Sequence, residues 1–304
     1  MATSTQRQPT AAAFAPPPDR VRNVGPTRFS GRRTATLAVR HAVLIALSFL
    51  TIIPVLMVAS TALKTDADVK TNPFGLFTSF SPANIVRAWT AGHFNDYLLN
   101  SFLLSVPSTL LIIVISTIAG YTFARLPFFG RTALFYLVVL GLLVPFFTYM
   151  IPLYFQLRSM HLLDTLAGAI LVLTSTGVSF GTFFMRAFFS DLPEELEQAA
   201  RIDGCSEWRI FTRVMLPLVS SGVGALAVFT FITTWNNFLV PLLYLPGGTY
   251  RPLTAGLYNF MGGRSIDIGP LAAGTLITIL PIILLFIVLQ KQVTAGFISG
   301  AVKG

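Results

Sequence analysis

Few residues in this chain are placed to do covalent chemistry. Gly177-Val178-Ser179-Phe180-Gly181 has the G-x-S-x-G spacing of a serine nucleophile. That role needs a strand-turn-helix elbow and a histidine partner, and the three histidines, His41, His93 and His161, all fall outside the apolar stretch that carries the serine. The two glycines, four apart, instead share one face of a helix and let a second helix approach closely. No His or Cys pair has metal-ligand spacing, and the single cysteine, Cys205, excludes a disulfide framework. A phosphate-binding P-loop needs Gly-Lys followed by Ser or Thr, whereas Lys64-Thr65 and Lys70-Thr71 follow Leu63 and Val69. No catalytic residue, metal site or cofactor site is therefore assigned, and energy from ATP would have to arrive through contact with another chain.

Two further groups of residues could bind without reacting. Tyr149, Trp235, Asn236 and Asn237 offer aromatic faces and amides within apolar stretches. Such groups can bind a ligand in a partly apolar cavity, and equally serve as glue between membrane helices. Tyr258, Asn259, Gly262 and Gly263 lie in a glycine-rich connection over 246–268, where glycine permits a change of shape or close contact with another backbone.

The elements that must position these residues are set by composition. Of 304 residues, 54% are hydrophobic and 11% charged, against about 25% charged in an ordinary soluble chain. A soluble surface cannot be built from so little charge, and an aromatic share of 12% excludes disorder for most of the chain. The class is all-α and membrane-embedded. Six apolar runs, 42–63, 101–124, 133–156, 167–187, 218–244 and 270–290, are each near the ~20 residues that cross a bilayer as helix, and helices alone satisfy their backbone there. Pro54, Pro107, Pro145, Pro152, Pro241 and Pro281 fall in or beside these runs and predict kinks rather than ends. Residues 1–36 are polar and proline-rich and predict a disordered tail, leaving 37–304 as the membrane domain. The run after the tail is too long for a signal-peptide core and is assigned to an uncleaved span.

The net charge of +9 does not indicate nucleic acid, because the basic residues sit between apolar runs and not in one stripe. With the amino terminus inside, 15 Lys and Arg lie on the inner side and 6 on the outer, which predicts both termini in the cytoplasm. The spans carry almost no ionisable side chain, and this lowers the case for an ion-coupled carrier, which holds its coupling ion at membrane depth.

The inner connection at about 189–217 holds 6 of the 12 acids. Asp191 with Glu194 three residues on predicts a capping box, and Glu194 and Glu195 suit the positive end of a helix. Leu192, Leu196, Ala199, Ala200 and Asp203 share one predicted face, offered to another protein. Gly204 predicts a left-handed stop, and a second helix follows through Trp208 to Leu216-Pro217. Ala199-Ala200, Gly204, Val214 and Leu216-Pro217 stand in the register E-A-A-x3-G-x9-I-x-L-P, with Gln198 at the Glu position and Glu197 beside it. This resembles the EAA loop of ABC-importer permeases. Tyr121 to Arg125, Gly130-Arg131, Ile151 to Tyr154, Trp235 to Phe238 and the terminal Thr294 to Gly304 are similar to the MalG-like subunits of carbohydrate importers, so the resemblance covers about 37–304.

The resemblance implies a type I importer permease fold with six spans in the bacterial plasma membrane. It implies a homologous second permease, two ATPase subunits that bind ATP and Mg, an extracytoplasmic sugar-binding protein and lipid as partners. It implies that Glu194, Glu195, Glu197, Gln198, Ala199, Ala200, Asp203, Gly204, Trp208, Leu216 and Pro217 couple to the ATPase. The alternatives are an ion-coupled secondary transporter and a structural membrane subunit that transports nothing.

Overall fold

The computed structural model of the chain describes residues 31–262 and 266–301, and side-chain surroundings for 36–262 and 266–291. The tail over 1–30, Gly263, Arg264 and Lys303 lie outside these. Every regular element among the described residues is helical. Those long and apolar enough to cross a membrane are α1 (Gly31–Leu63), α4 (Phe94–Arg125), α7 (Leu166–Ser190) and α14 (Ile268–Ala301). α1 begins at Gly31, inside the segment assigned to the tail. Between these spans come α2 (Asp66–Thr71), α3 (Ala83–Thr90), α5 (Arg131–Leu140), α6 (Phe146–Ser159), α8 (Glu195–Ile202), α9 (Glu207–Arg209), a π-helical turn (Ile210–Met215), α10 (Leu216–Leu218), α11 (Ser220–Trp235), α12 (Leu239–Tyr244), α13 (Leu253–Gly256) and a 3₁₀ turn (Leu257–Phe260).

The chain divides into two units at Ile52/Ile53. The first is the amino-terminal part of α1, whose apolar side chains such as Leu47, Phe49 and Leu50 are exposed all round, as suits a helix bathed in lipid. The second holds everything from Ile53 onward.

Two predicted spans are broken. Residues 133–156 form α5 and α6 around a gap at Gly141 to Pro145, and 218–244 form α11 and α12 around Asn236 to Phe238. Pro145 ends an element where a kink was predicted: its extended backbone (ψ 135°) opens α6, and it has no N–H to continue α5. Pro54, Pro107 and Pro281 lie inside continuous helices.

α4 and α7 form the central pair. Small residues meet there: a Cβ on Gly181 would overlap Ser116 Oγ, one on Gly177 would come within 2.5 Å of Ile112 Cδ1, and one on Gly120 within 2.7 Å of Met185 Cβ. The Gly177/Gly181 spacing thus works as helix packing and not as a nucleophile turn. Gly181→Ala should destabilise the pair by about 1 kcal/mol, the low end for overpacking. Thermal unfolding in detergent would show this, and an unchanged midpoint would mean the helices can separate freely.

Among the described residues, three apolar clusters fill the second unit. One surrounds Leu104, Val172 and Tyr244; another surrounds Phe94, Trp235 and Ala273. The third lies at the opposite end of α4, around Tyr121, Phe189, Phe211 and Met215. A 32-residue helix is roughly 48 Å long, so this third cluster lies near the opposite end of α4 from Phe94 and serves the connection after α7.

Candidate functional site

The connection after α7 folds into a compact unit. Asp191 closes α7 in helical conformation (φ −80°, ψ −15°), and α8 starts later than the sequence predicted, with Glu194 and not Asp191 preceding its first residue. Glu194 occupies the cap of α8, its carbonyl accepting from Glu197 N (3.1 Å) and Gln198 N (3.2 Å). Glu194, Glu195 and Glu197 surround the first turn, where the helix dipole favours negative charge.

Leu196, Ala199 and Asp203 of the predicted outward face are exposed, but Ala200 of that face turns inward beside Glu197. Glu197 and Ala200 point inward at 4% and 8% exposure, while Leu196, Gln198, Ala199, Ile202 and Asp203 are exposed. The physical reason is Arg125, the last residue of α4. Its Nε donates to Phe189 O (3.0 Å) and its Nη2 to the carbonyls of Phe189 and Leu192. It also lies 3.5 Å from Glu197 Oε1. A charge waiting under the loop draws the one carboxylate that can reach it. Burial pushes the Glu197 carboxyl above the ordinary range, and Arg125 and Arg201 oppose that rise.

Gly204 has φ +76° with nothing within 4 Å of a would-be Cβ. Cys205 N donates to Ala200 O at 3.0 Å and Gly204 N to Arg201 O at 3.0 Å, which closes the carbonyl end of α8. Arg201 then forks onto Glu207, Nε to Oε1 at 2.8 Å and Nη2 to Oε2 at 3.2 Å, tying α8 to α9. Trp208 is 65% exposed with its ring 5.4 Å from Phe211.

The second helix is not a plain α-helix. Ile210, Phe211 and Met215 are buried, a five-residue repeat that fits the π turn containing them. Pro217 follows; it cannot donate to Arg213 O and its ring crowds that carbonyl. Glu207–Leu218 then meets Ser220–Trp235 at 76°. Leu216 is half-buried against the cluster and Pro217 is exposed. The whole arrangement is a two-turn helix, a glycine turn and a bent helix, seated on the ends of α4 and α7, with Leu196, Ala199, Ile202 and Trp208 facing outward.

The other singled-out residues separate. Trp235 is buried, its Nε1 donating to Thr278 O (3.0 Å) of α14 and its ring against Phe102 and Phe231. Asn236 is exposed. Asn237 accepts from Val240 N (2.9 Å), starting α12 after the break. It also lines a cavity of about 170 Å³ with Thr176, Thr230, Thr233, Thr234 and Phe229. Tyr149 is half-buried on α6, edge-on to Phe146, away from that cavity's lining. In the 246–262 connection, Tyr258 is exposed and stacks on Phe238 (4.6 Å), and Asn259 donates to Tyr97 Oη (3.3 Å). The connection is anchored on α4, since Leu253 N donates to Ser101 Oγ (2.8 Å) and Asn100 Nδ2 to Thr249 O and Arg251 O. Gly262 is exposed.

The model of the binding-protein-dependent transport system inner membrane component family matches residues 38–295. The chain is 34% identical over 276 residues to the diacetylchitobiose uptake system permease protein NgcG of Streptomyces coelicolor, covering 90% of this chain and 91% of that one. It is 34% identical over 266 residues to the arabinooligosaccharides transport system permease protein AraQ of Halalkalibacterium halodurans, covering 85% and 93%. Its fold is similar to a chain of a bacterial ABC transporter that imports the acidic polysaccharide alginate, at TM-score 0.76 and 20% identity over 87% of this chain and 99% of that chain. With that span of sequence and fold, the chain belongs to the binding-protein-dependent transport system inner membrane components, the membrane-embedded permeases of ABC importers.

Proposed function

We propose that this chain forms half of the translocation path of an ATP-driven carbohydrate importer, crossing the bacterial plasma membrane six times with both termini in the cytoplasm. α5 with α6, and α11 with α12, count as one broken span each. The other half is a homologous permease; two ATPase subunits, holding ATP and Mg, dock inside, and a sugar-binding protein docks outside. The observation that carries the reading is the helix–glycine–helix unit over 195–218, which is seated on the ends of α4 and α7. In a member of this family it is the natural lever for an ATPase. Leu196, Gln198, Ala199, Ile202 and Trp208 make its outward surface, and Glu194, Glu195 and Asp203 edge it. Ala200 and Glu197 hold it from within, and Gly204, Leu216 and Pro217 set its bends.

A saccharide is the substrate class because the relatives named for diacetylchitobiose and arabinooligosaccharides share a third of this sequence. In this chain the hydroxyl-lined cavity beside Asn237 has matching chemistry, with Tyr149 and Asn236 as further contacts along the path. Trp235 supports the path from behind, through its bond to α14. Tyr258, Asn259 and Gly262 face the binding protein.

Affinity purification from membranes in mild detergent tests the reading. The chain should bring down an ATPase and a sister permease, and loaded binding protein should stimulate ATP hydrolysis; isolation of the chain alone would overturn it. Gln198 is exposed, and a neutral amide makes a weaker contact than a charge-assisted one. Gln198→Glu should therefore retain or raise the ATPase yield, and loss of the ATPase in that variant would move the docking surface elsewhere.

A further inference from the structure

Arg125 and Glu197 form a buried pair that the transport reading does not itself require. Their side chains are 5% and 6% exposed, with Nε and Oε1 3.5 Å apart. Arg125 satisfies itself largely on the Phe189 and Leu192 carbonyls, at the end of α7 and just beyond it. Glu197 Oε1 has no hydrogen-bond partner of its own, and its other oxygen faces Arg201 at 3.5 Å. Arg201 passes the connection on to Glu207 of α9. A continuous line of charge thus runs from the end of α4 through α8 to the second helix of the loop.

Stability does not account for this pair. Ion contacts at 3.5 Å are long for hydrogen bonds, and the carboxyl is driven upward by burial more than the two arginines draw it down. A carboxyl raised in this way favours its neutral form, so its charge weakens the folded state as pH rises past it. Buried pairs of this kind often cost more in desolvation than they return, and fixing register is their best-attested use. Register is what α8 lacks. It has eight residues, and its only buried apolar side chain is Ala200. One methyl group cannot set the rotation of a two-turn helix. A roll of one residue, about 100°, would carry Leu196, Ala199 and Ile202 off the outward face.

We propose that Arg125 and Glu197 are positioning residues that key α8 to the ends of α4 and α7, so that movement imposed on the loop reaches the spans. The proposal rests on the importer reading above. The pair makes one body of the loop and the central helix pair. Without it, α8 keeps its place through Ala200 but turns under load, and an ATPase stroke is spent on the loop.

The test uses the complete complex in proteoliposomes, with solute imported per ATP hydrolysed as the readout and thermal midpoint as the control. Glu197→Gln should keep the assembly and its midpoint, while solute per ATP falls at least fivefold. Arg125→Met combined with Glu197→Leu replaces the pair by apolar groups. It should retain the ATPase subunits and ATP hydrolysis and lose at least tenfold in solute per ATP. An unchanged ratio in Glu197→Gln overturns the proposal, as does a lowered midpoint with loss of assembly, which would mark a merely structural pair. If the double variant fails to assemble, Glu197→Gln decides alone. A wild-type complex that imports nothing with ATP would sink the importer reading and this role together, whereas wild-type import with unchanged ratios in the variants sinks this role only.

Discussion

Ala200→Asp should dislodge the loop from the membrane domain and release the ATPase. Ala200 is 8% exposed and packs in the cluster of Tyr121, Phe189 and Phe211, one helical turn from the buried Glu197. A second carboxylate there has no cation of its own, because Arg125 is already engaged by two carbonyls and Glu197. An uncompensated buried charge costs about 3–5 kcal/mol, more than a loop unit of this size can absorb. The protein should still reach the membrane, since α4 and α7 pack through other residues. Co-purified ATPase should fall below a tenth of wild type, while Ala199→Asp, on the exposed side of the same helix, should lose far less. Equal losses at the two positions would mean that Ala200 faces a partner and not its own chain.

Gly204→Val should have the next largest effect, and for a different reason. Space is not limiting, since nothing lies within 4 Å of a Cβ there; the φ of +76° is. A β-branched residue in that region is a true outlier, at the upper end of the roughly 1–3 kcal/mol that such strain costs. The turn would open, and with it the bonds from Gly204 N and Cys205 N that close α8. Gly204→Asn isolates the cause, because asparagine tolerates the left-handed region. Valine should reduce ATPase retention severalfold and asparagine only slightly. Matching defects in both would point to contact with a partner and away from backbone strain.

Much of the fold could be read from the sequence because a bilayer imposes a simple rule on helix length and polarity. The apolar runs ending near Leu63, Arg125 and Ser190 became α1, α4 and α7 on that rule alone. The helix–glycine–helix unit was equally legible, because a glycine after a helical run has few other uses and Gly204 adopts positive φ. The breaks at Gly141 to Pro145 and Asn236 to Phe238 were not. Hydropathy averages over them, and whether a proline kinks a helix or ends it depends on what packs beside it. The outward residues Leu196 and Ala199 of α8 were legible, but its inward side, Glu197 with Ala200, was missed because the larger inward residue is charged. Periodicity assigns carboxylates to water, and the arginine that reverses this for Glu197 lies at the end of a distant span. Trp235 was grouped with Asn237 because both offer binding groups within an apolar stretch, but α11 ends at Trp235 and Asn237 lies in the break before α12, so one turned toward α14 while the other reached the cavity. The π turn at Ile210 has no sequence signature beyond the proline after it.

ATP hydrolysed by a partner, and not an ion gradient, should drive solute through a path of which this chain is half. Uptake into proteoliposomes holding the whole complex measures that directly. With ATP supplied on the side of the 195–218 unit and loaded binding protein on the other, uptake should proceed, persist when a protonophore is added or sodium is removed, and stop when ATP is withdrawn. The chain reconstituted alone should transport nothing, having no second half against which its spans can alternate. Collapse of uptake on dissipating the ion gradient at constant ATP would contradict the account and identify a secondary transporter instead.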